Sequence, residues 1–150
     1  MDAVDRRILA ELQRDAALTN TDLAERVGLS PTPCWRRVKQ LEASGLLRRR
    51  VALLDASALG LGTTVFVAVR TQHHTAEWLD RFAQAVSAFD EVTEFYRLSG
   101  EIDYLLKVVV PDIAAYDAFY KRLVAAVELS DVSSSFAMEE IKYTTELPLG

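Results

Sequence analysis

The chain has 150 residues, half of them hydrophobic and 26% charged, which is the balance of a folded protein and not of a disordered one. No apolar run approaches the roughly 20 residues of a membrane span, the first residues are acidic and amphipathic rather than a secretion signal, and the single cysteine, Cys34, cannot form an internal disulfide. The expectation is one ordinary domain or two small ones in a cytoplasmic protein with no membrane partner.

The net charge of −5 is unevenly divided. Residues 1–50 carry ten Lys/Arg and seven Asp/Glu, net +3, whereas residues 51–150 carry seven and fifteen, net −8. Within Trp35–Arg50 stand six basic residues and one acid, Glu42. Phosphate binding depends on local charge, so an acidic chain can still bind nucleic acid through its basic end.

In chain order, Asp2–Arg14 predicts a helix capped by Asp2 or Asp5, with Val4, Ile8, Leu9 and Leu12 on one stripe. A second short helix spans Thr19–Val27, with Leu23, Ala24 and Val27 facing inward and Gly28 making the turn after it. Ser30 and Pro31 start a third, a hydroxyl cap followed by proline, which runs to about Ser44 before Gly45. Leu46–Leu54 suits a wing strand. The small residues of 55–62 predict a linker, which separates a first domain, 1–54, from a second, 63–150. There, strands are expected at Thr63–Thr71, Val92–Leu98, Tyr104–Val110 and Val132–Tyr143. Between them lie helices striped by Trp78, Leu79, Phe82, Val86 and Phe89, and by Tyr116, Phe119, Tyr120, Leu123 and Val127. The order βαββαβ is that of a ferredoxin-like domain, so the fold class is α+β: a winged helix-turn-helix followed by an αβ-sandwich.

A small residue at the crossing, Ala24, a glycine turn, Gly28, and apolar anchors Cys34 and Val38 are what a helix-turn-helix requires. With those inward, Thr32, Pro33, Arg36, Arg37, Lys39 and Gln40 project outward or along the flanks, beside Ser30 at the helix start. Arginine can pair with guanine, glutamine with adenine, and lysine with phosphate. Arg48, Arg49 and Arg50 follow on the wing, where backbone or minor-groove contacts suit them. Trp35 flanks the buried stripe and reads as packing, and Cys34 as a small core residue. A symmetric dimer would read pseudo-palindromic double-stranded DNA with half-sites about 34 Å apart.

Four segments together resemble the leucine-responsive/asparagine regulator (Lrp/AsnC, feast/famine) family: DAVDRRILAELQRDA from Asp2, LSPTPCWRRVKQLEASGLL from Leu29, SGEIDYLLKV from Ser99 and MEEIKYTTELPL from Met138. The resemblance implies a winged-helix head and a RAM-type effector domain, in homo-oligomers that pair through their sheets as dimers and assemble further into octamers. It also implies a transcription regulator of amino-acid metabolism or transport genes that binds an amino acid as effector and needs no cofactor. The effector pocket is placed at the Ser99–Asp103 turn, between dimers, which carries over Gly100 and Asp103. Glu101 lies between them, and Tyr96 and Ser134 could line the same pocket. Taken alone, the turn needs only a glycine at positive φ and an aspartate for side-chain turn bonds. A carboxylate and exposed N–H groups could equally hold the ammonium and carboxylate of an amino acid.

No enzyme is expected. His73 and His74 have no metal-ligand spacing to a cysteine or carboxylate, and there is neither a nucleophile elbow nor a phosphate-cradling glycine loop. Two other readings are a metabolite-binding module whose DNA head is vestigial or regulates an enzyme partner, and, through proteins of similar architecture, a haem-pathway decarboxylase. The latter requires His or Arg in the pocket.

Overall fold

The computed structural model describes residues 1–150 and divides into two compact units, Met1–Leu53 with Lys142–Gly150, and Leu54–Ile141. No helix is long and apolar enough to cross a membrane.

The first unit holds three helices, α1 (Ala3–Arg14), α2 (Asn20–Val27) and α3 (Pro31–Ala43). Asp2 and Asp5 both act at the start of α1: each side chain accepts from the other's backbone N–H at 2.9 Å, a reciprocal capping box. Thr19 Oγ1 caps α2 through Asp22 N–H, and Gly28, at φ 71°, ends it in the left-handed conformation with Leu29 N–H donating back to Ala24 O at 2.8 Å. Ile8, Leu9 and Leu12 from α1, Leu23, Ala24 and Val27 from α2, and Cys34, Val38 and Leu41 from α3 form the core. Burial raises the pKa of the Cys34 thiol, so it sits there as a neutral apolar group.

In the second unit, β1 (Thr63–Arg70), α4 (Ala76–Ser87), β2 (Val92–Arg97), β3 (Tyr104–Val110), α5 (Ile113–Ala126) and β4 (Asp131–Phe136) follow in the expected βαββαβ order. The antiparallel sheet runs β2-β3-β1-β4. Strand alternation puts Val65, Val67, Val69, Tyr104, Leu106 and Val108 on one face, packed with Trp78, Phe82 and Val86 of α4 and Tyr116, Phe119 and Leu123 of α5. The other face carries Phe66, Ala68, Leu105, Lys107 and Tyr96 in register, with Phe66 39% and Tyr96 52% exposed.

Three expectations are corrected. Residues 46–54 form no strand, because the chain offers this segment no ladder partner and its backbone stays solvated. The last strand stops at Phe136 rather than Tyr143: Phe136 pairs with Val65 and Ala137 N–H still reaches Thr64 O, but β1 begins at Thr63 and supplies nothing further. By their contacts residues 142–150 fall with the first unit, and the division falls at Leu53. Finally, Ser30 occupies the cap position of α3 without a side-chain cap bond. Pro33 at the third helical position removes one of the two N–H donors a cap serine accepts from, leaving only that of Thr32.

Candidate nucleic-acid interface and ligand-binding turn

Helix α3 buries Cys34, Val38 and Leu41 at helical spacing, which turns Thr32, Arg36 and Gln40 to the opposite, exposed side. Pro31 and Pro33 are tolerated because the first turn of a helix does not need their N–H groups, and Asn20 Nδ2 donates to Pro31 O at 2.8 Å, which ties α2 to the start of α3. The Ser30 hydroxyl, released from capping, and exposed Pro33 stand at this end.

The basic residues differ sharply in how they are held. Of the ten in residues 1–50, seven have intramolecular partners. Lys39 pairs with Glu42 at 2.8 Å and Arg50 with the same carboxylate at 3.6 Å, so the cations hold the Glu42 carboxyl below its usual range, the Lys39 hydrogen bond contributing most. Arg37 lies on the flank facing α1, where Nη1 donates to Asp2 Oδ2 at 2.7 Å and Asp5 Oδ1 at 2.8 Å. The sequence grouped Arg37 with the outward readers; its side chain instead braces α3 against the capping box of α1. Arg36, Arg48 and Arg49 are exposed and make no hydrogen bond or ion pair. Trp35 is 52% exposed beside Lys39 and Arg50, more open than a packing residue would be.

The brace has a pH signature. The backbone N–H of Asp5, then the Arg37 guanidinium, lower Asp2 from 3.8 to about 2. Since the folded pKa is depressed, its stabilisation is present above 3.8 and is lost as pH falls from there toward 2. In a Trp78→Phe background, Trp35 emission reports the first unit alone. The stability difference between wild type and Asp2→Asn is expected to shrink across that window, and a constant difference would contradict the assignment.

In the second unit, the 98–103 turn is built by its own residues. Gly100 takes φ 134°, Leu98 N–H donates to Asp103 O at 2.8 Å, and Asp103 N–H to Val69 O at 2.9 Å. Asp103 Oδ2 accepts from Thr71 N–H at 2.8 Å, capping the end of β1, while Oδ1 has no protein donor. Exposed Glu101 lies 3.7 Å from Arg70. Tyr96 O–H donates to Glu94 at 2.8 Å, and this bond raises the phenol's pKa.

Ser134 does not join this group. It pairs in register with Val67 on the helix-covered face of β4, hydrogen-bonded to Tyr116 O–H, whereas Tyr96 occupies the opposite face of β2. Two strands separate β2 from β4, about 14 Å at the usual strand spacing. Within this chain alternation and strand order divide the two, so one pocket would contain both only where copies meet. Ser134 instead lines a shallow depression of about 300 Å³ with Ile113, Tyr116, Asp117, Tyr120 and Val132. Nowhere do three or more His, Cys, Asp or Glu side chains gather as a metal site would require; His73 stacks on Trp78 and approaches Glu128 at 3.9 Å.

A helix-turn-helix with unpaired arginines, on one chain with a split αβ-sandwich, defines a DNA-binding regulator with a separate ligand-binding unit. Residues 1–48 match the model of winged helix-turn-helix DNA-binding domains and residues 64–147 that of the Lrp/AsnC ligand binding domain. The chain is 55% identical over 150 residues to the DNA-binding transcriptional activator DecR of Escherichia coli (strain K12), covering 99% of both. Among solved structures, an AsnC family transcriptional regulator from Agrobacterium tumefaciens superposes with TM-score 0.97 at 63% identity, covering 99% of this chain and 97% of that one. A transcriptional regulator from Neisseria meningitidis in complex with L-Met superposes with TM-score 0.95 at 41% identity, with the same coverage. The chain belongs to the Lrp/AsnC family: it is a DNA-binding transcriptional regulator, and not an enzyme.

Proposed function

We propose that α3 reads the major groove with Thr32, Arg36 and Gln40, while Arg48, Arg49 and Lys39 neutralise phosphates beside it. The carrying observation is that Arg36, Arg48 and Arg49 are left without intramolecular partners, whereas the other seven basic side chains of residues 1–50 are engaged. An unpaired, solvated guanidinium gives up no ion pair when it meets a phosphate or a guanine edge. Arg37 takes no part in reading on this account. The uncovered sheet face, with Phe66 and Tyr96 exposed, supports pairing of two copies as a dimer and further assembly to an octamer. A dimer should protect half-sites about 34 Å apart on a pseudo-palindrome. Footprinting of the DNA upstream of the protein's own gene tests this, and protection without that spacing would contradict a symmetric dimer.

The ligand is an amino acid, and the regulated genes serve amino-acid metabolism or transport. Support comes from the L-Met complex of the Neisseria relative and from the 98–103 turn, where Asp103 Oδ1 is free to accept an ammonium. Asp103→Asn can keep the bond from Thr71 N–H yet lacks the charge. In calorimetry with L-Met and the other nineteen amino acids, this variant should bind the effector about 10- to 100-fold more weakly, the worth of a charge-assisted hydrogen bond. Unchanged affinity would leave Asp103 a turn-former only. Coupling is by linkage: a ligand that prefers one arrangement of the assembly shifts DNA affinity by the same factor that DNA shifts its own.

A further inference from the structure

The DNA-binding unit contains a piece that the family's head model, ending at residue 48, does not include. Residues 146–149 lie along α1. Gln13 holds Leu147 from both sides: Oε1 accepts from Leu147 N–H at 2.6 Å and Nε2 donates to Leu147 O at 3.2 Å. Arg6 Nη1 donates to Leu149 O at 3.0 Å, and Arg14 Nε meets Glu146 at 3.3 Å. The Leu149 side chain packs against the helical core together with Val4, Leu18, Leu29 and Leu47. Three of these four residues are thus fixed to one helix by backbone pairing, an ion pair and an apolar anchor.

This geometry is that of a docked peptide. An extended segment whose N–H and C=O are both satisfied by one amide side chain is held in register, and a neighbouring leucine in a slot supplies the apolar affinity. Pro148, between the two leucines, restricts the backbone and lowers the entropy lost on docking. The same helix carries Asp2 and Asp5, which brace Arg37 of the reading helix. The docked segment runs along α1 from Gln13 and Arg14 to Arg6, beside the Asp2 and Asp5 brace, so both act on one rigid element. At its other end the segment is continuous with β4, whose last residue, Phe136, lies ten positions before Glu146.

We propose that residues 146–149 are a latch that completes the DNA-binding head: docked, they hold α1 and through it α3 in the DNA-competent arrangement, and undocked they weaken DNA binding. The occupant of the α1 surface is this chain's own tail. Because the chain crosses between the units at Leu53 and again at Lys142, the ligand-binding unit has two covalent connections to the head rather than one. The inference rests on the reading of α3 as the DNA-contacting element.

Full-length Leu149→Asp, Leu149→Met and Gln13→Leu, each with Trp78→Phe so that Trp35 reports the head, test it. Affinity is read by anisotropy on duplex DNA from upstream of the protein's own gene, across a salt series, well below the melting midpoint. The expected result is a loss of about 5- to 20-fold in Leu149→Asp and in Gln13→Leu with Trp35 emission still that of a folded head, near-wild-type affinity in Leu149→Met, and an unchanged salt slope, because no phosphate contact is removed. Carboxypeptidase should trim the tail faster in the two weakened variants. Wild-type affinity in both variants, with the tail trimmed faster, would overturn the latch. So would a reduced salt slope, which would make the tail's neighbours direct phosphate ligands. If wild type itself failed to bind, the assignment of α3 would fall, and the latch with it.

Discussion

Arg36→Ala is expected to lower sequence-specific DNA affinity by roughly 5- to 150-fold, about 1–3 kcal/mol for a bidentate base contact. Arg36 is suited to the role by position and by freedom. It points opposite the Cys34, Val38 and Leu41 stripe, and no carboxylate holds it. Its removal should leave binding to random-sequence DNA almost unaltered and relax the preference at one base pair. Arg37→Ala should behave differently. It breaks the bonds to Asp2 and Asp5, so its effect should appear in the unfolding of the head as well as in DNA affinity. Competition titrations with cognate and random duplexes separate the two. An Arg36→Ala variant that kept its cognate preference would show that α3 presents another face to the groove.

The largest effect on stability is expected at Phe119. It is fully buried, edge-on to Phe89 at 5.3 Å between ring centroids, and packed beside Tyr116 at 6.0 Å. Truncation to alanine removes that burial and leaves a cavity where α5 meets the sheet, at a cost of about 3–5 kcal/mol. Trp78 reports this unit, because its ring stacks on Phe82 at 4.9 Å. With Trp35→Phe as background, denaturant unfolding followed at Trp78 should show the full loss. A change below about 1 kcal/mol would mean that α5 does not seal the core as described.

Much of this architecture is written in local pattern. The Ile8, Leu9 and Leu12 stripe, Gly28 after Val27, and the Ser-Pro start at Ser30 mark three helices because each depends on residues within one or two turns. Alternation in β1 and β3 is similarly local, and the strand and helix order then implies the split arrangement. What the sequence misses is non-local. A strand at 46–54 looks legible from composition, but a strand exists only with a ladder partner, and none is present. The end of β4 is set by where β1 begins. Arg37 reads as a groove residue until Asp2 and Asp5, more than thirty positions away, take its guanidinium. Tyr96 and Ser134 both read as strand residues suited to one pocket, and only register and strand order put them on opposite faces of this chain's sheet. The tail is the extreme case: nothing near Leu147 in sequence announces Gln13, 134 residues earlier.

The site divides in the same way. The outward face of α3 follows from the buried stripe alone, so Thr32, Arg36 and Gln40 were accessible to periodicity. Which arginines are free to act required the pairing pattern. At the 98–103 turn, the glycine and aspartate were visible as turn-formers. The structure adds that one Asp103 oxygen is committed to Thr71 and the other is not, and this makes the charge separable from the turn by Asp103→Asn.

The most direct test of the account is the salt dependence of DNA binding by wild type and by Arg36→Ala, Arg48→Ala and Arg49→Ala. Wild type should lose affinity linearly in a log–log plot as salt rises, with a slope near −0.9 for each phosphate neutralised. Arg48→Ala and Arg49→Ala should each make that slope shallower by about one and weaken all sequences alike, while Arg36→Ala should chiefly lose sequence preference. A flat salt response in wild type, or identical slopes in all four proteins, would contradict the assignment of these three unpaired arginines to DNA.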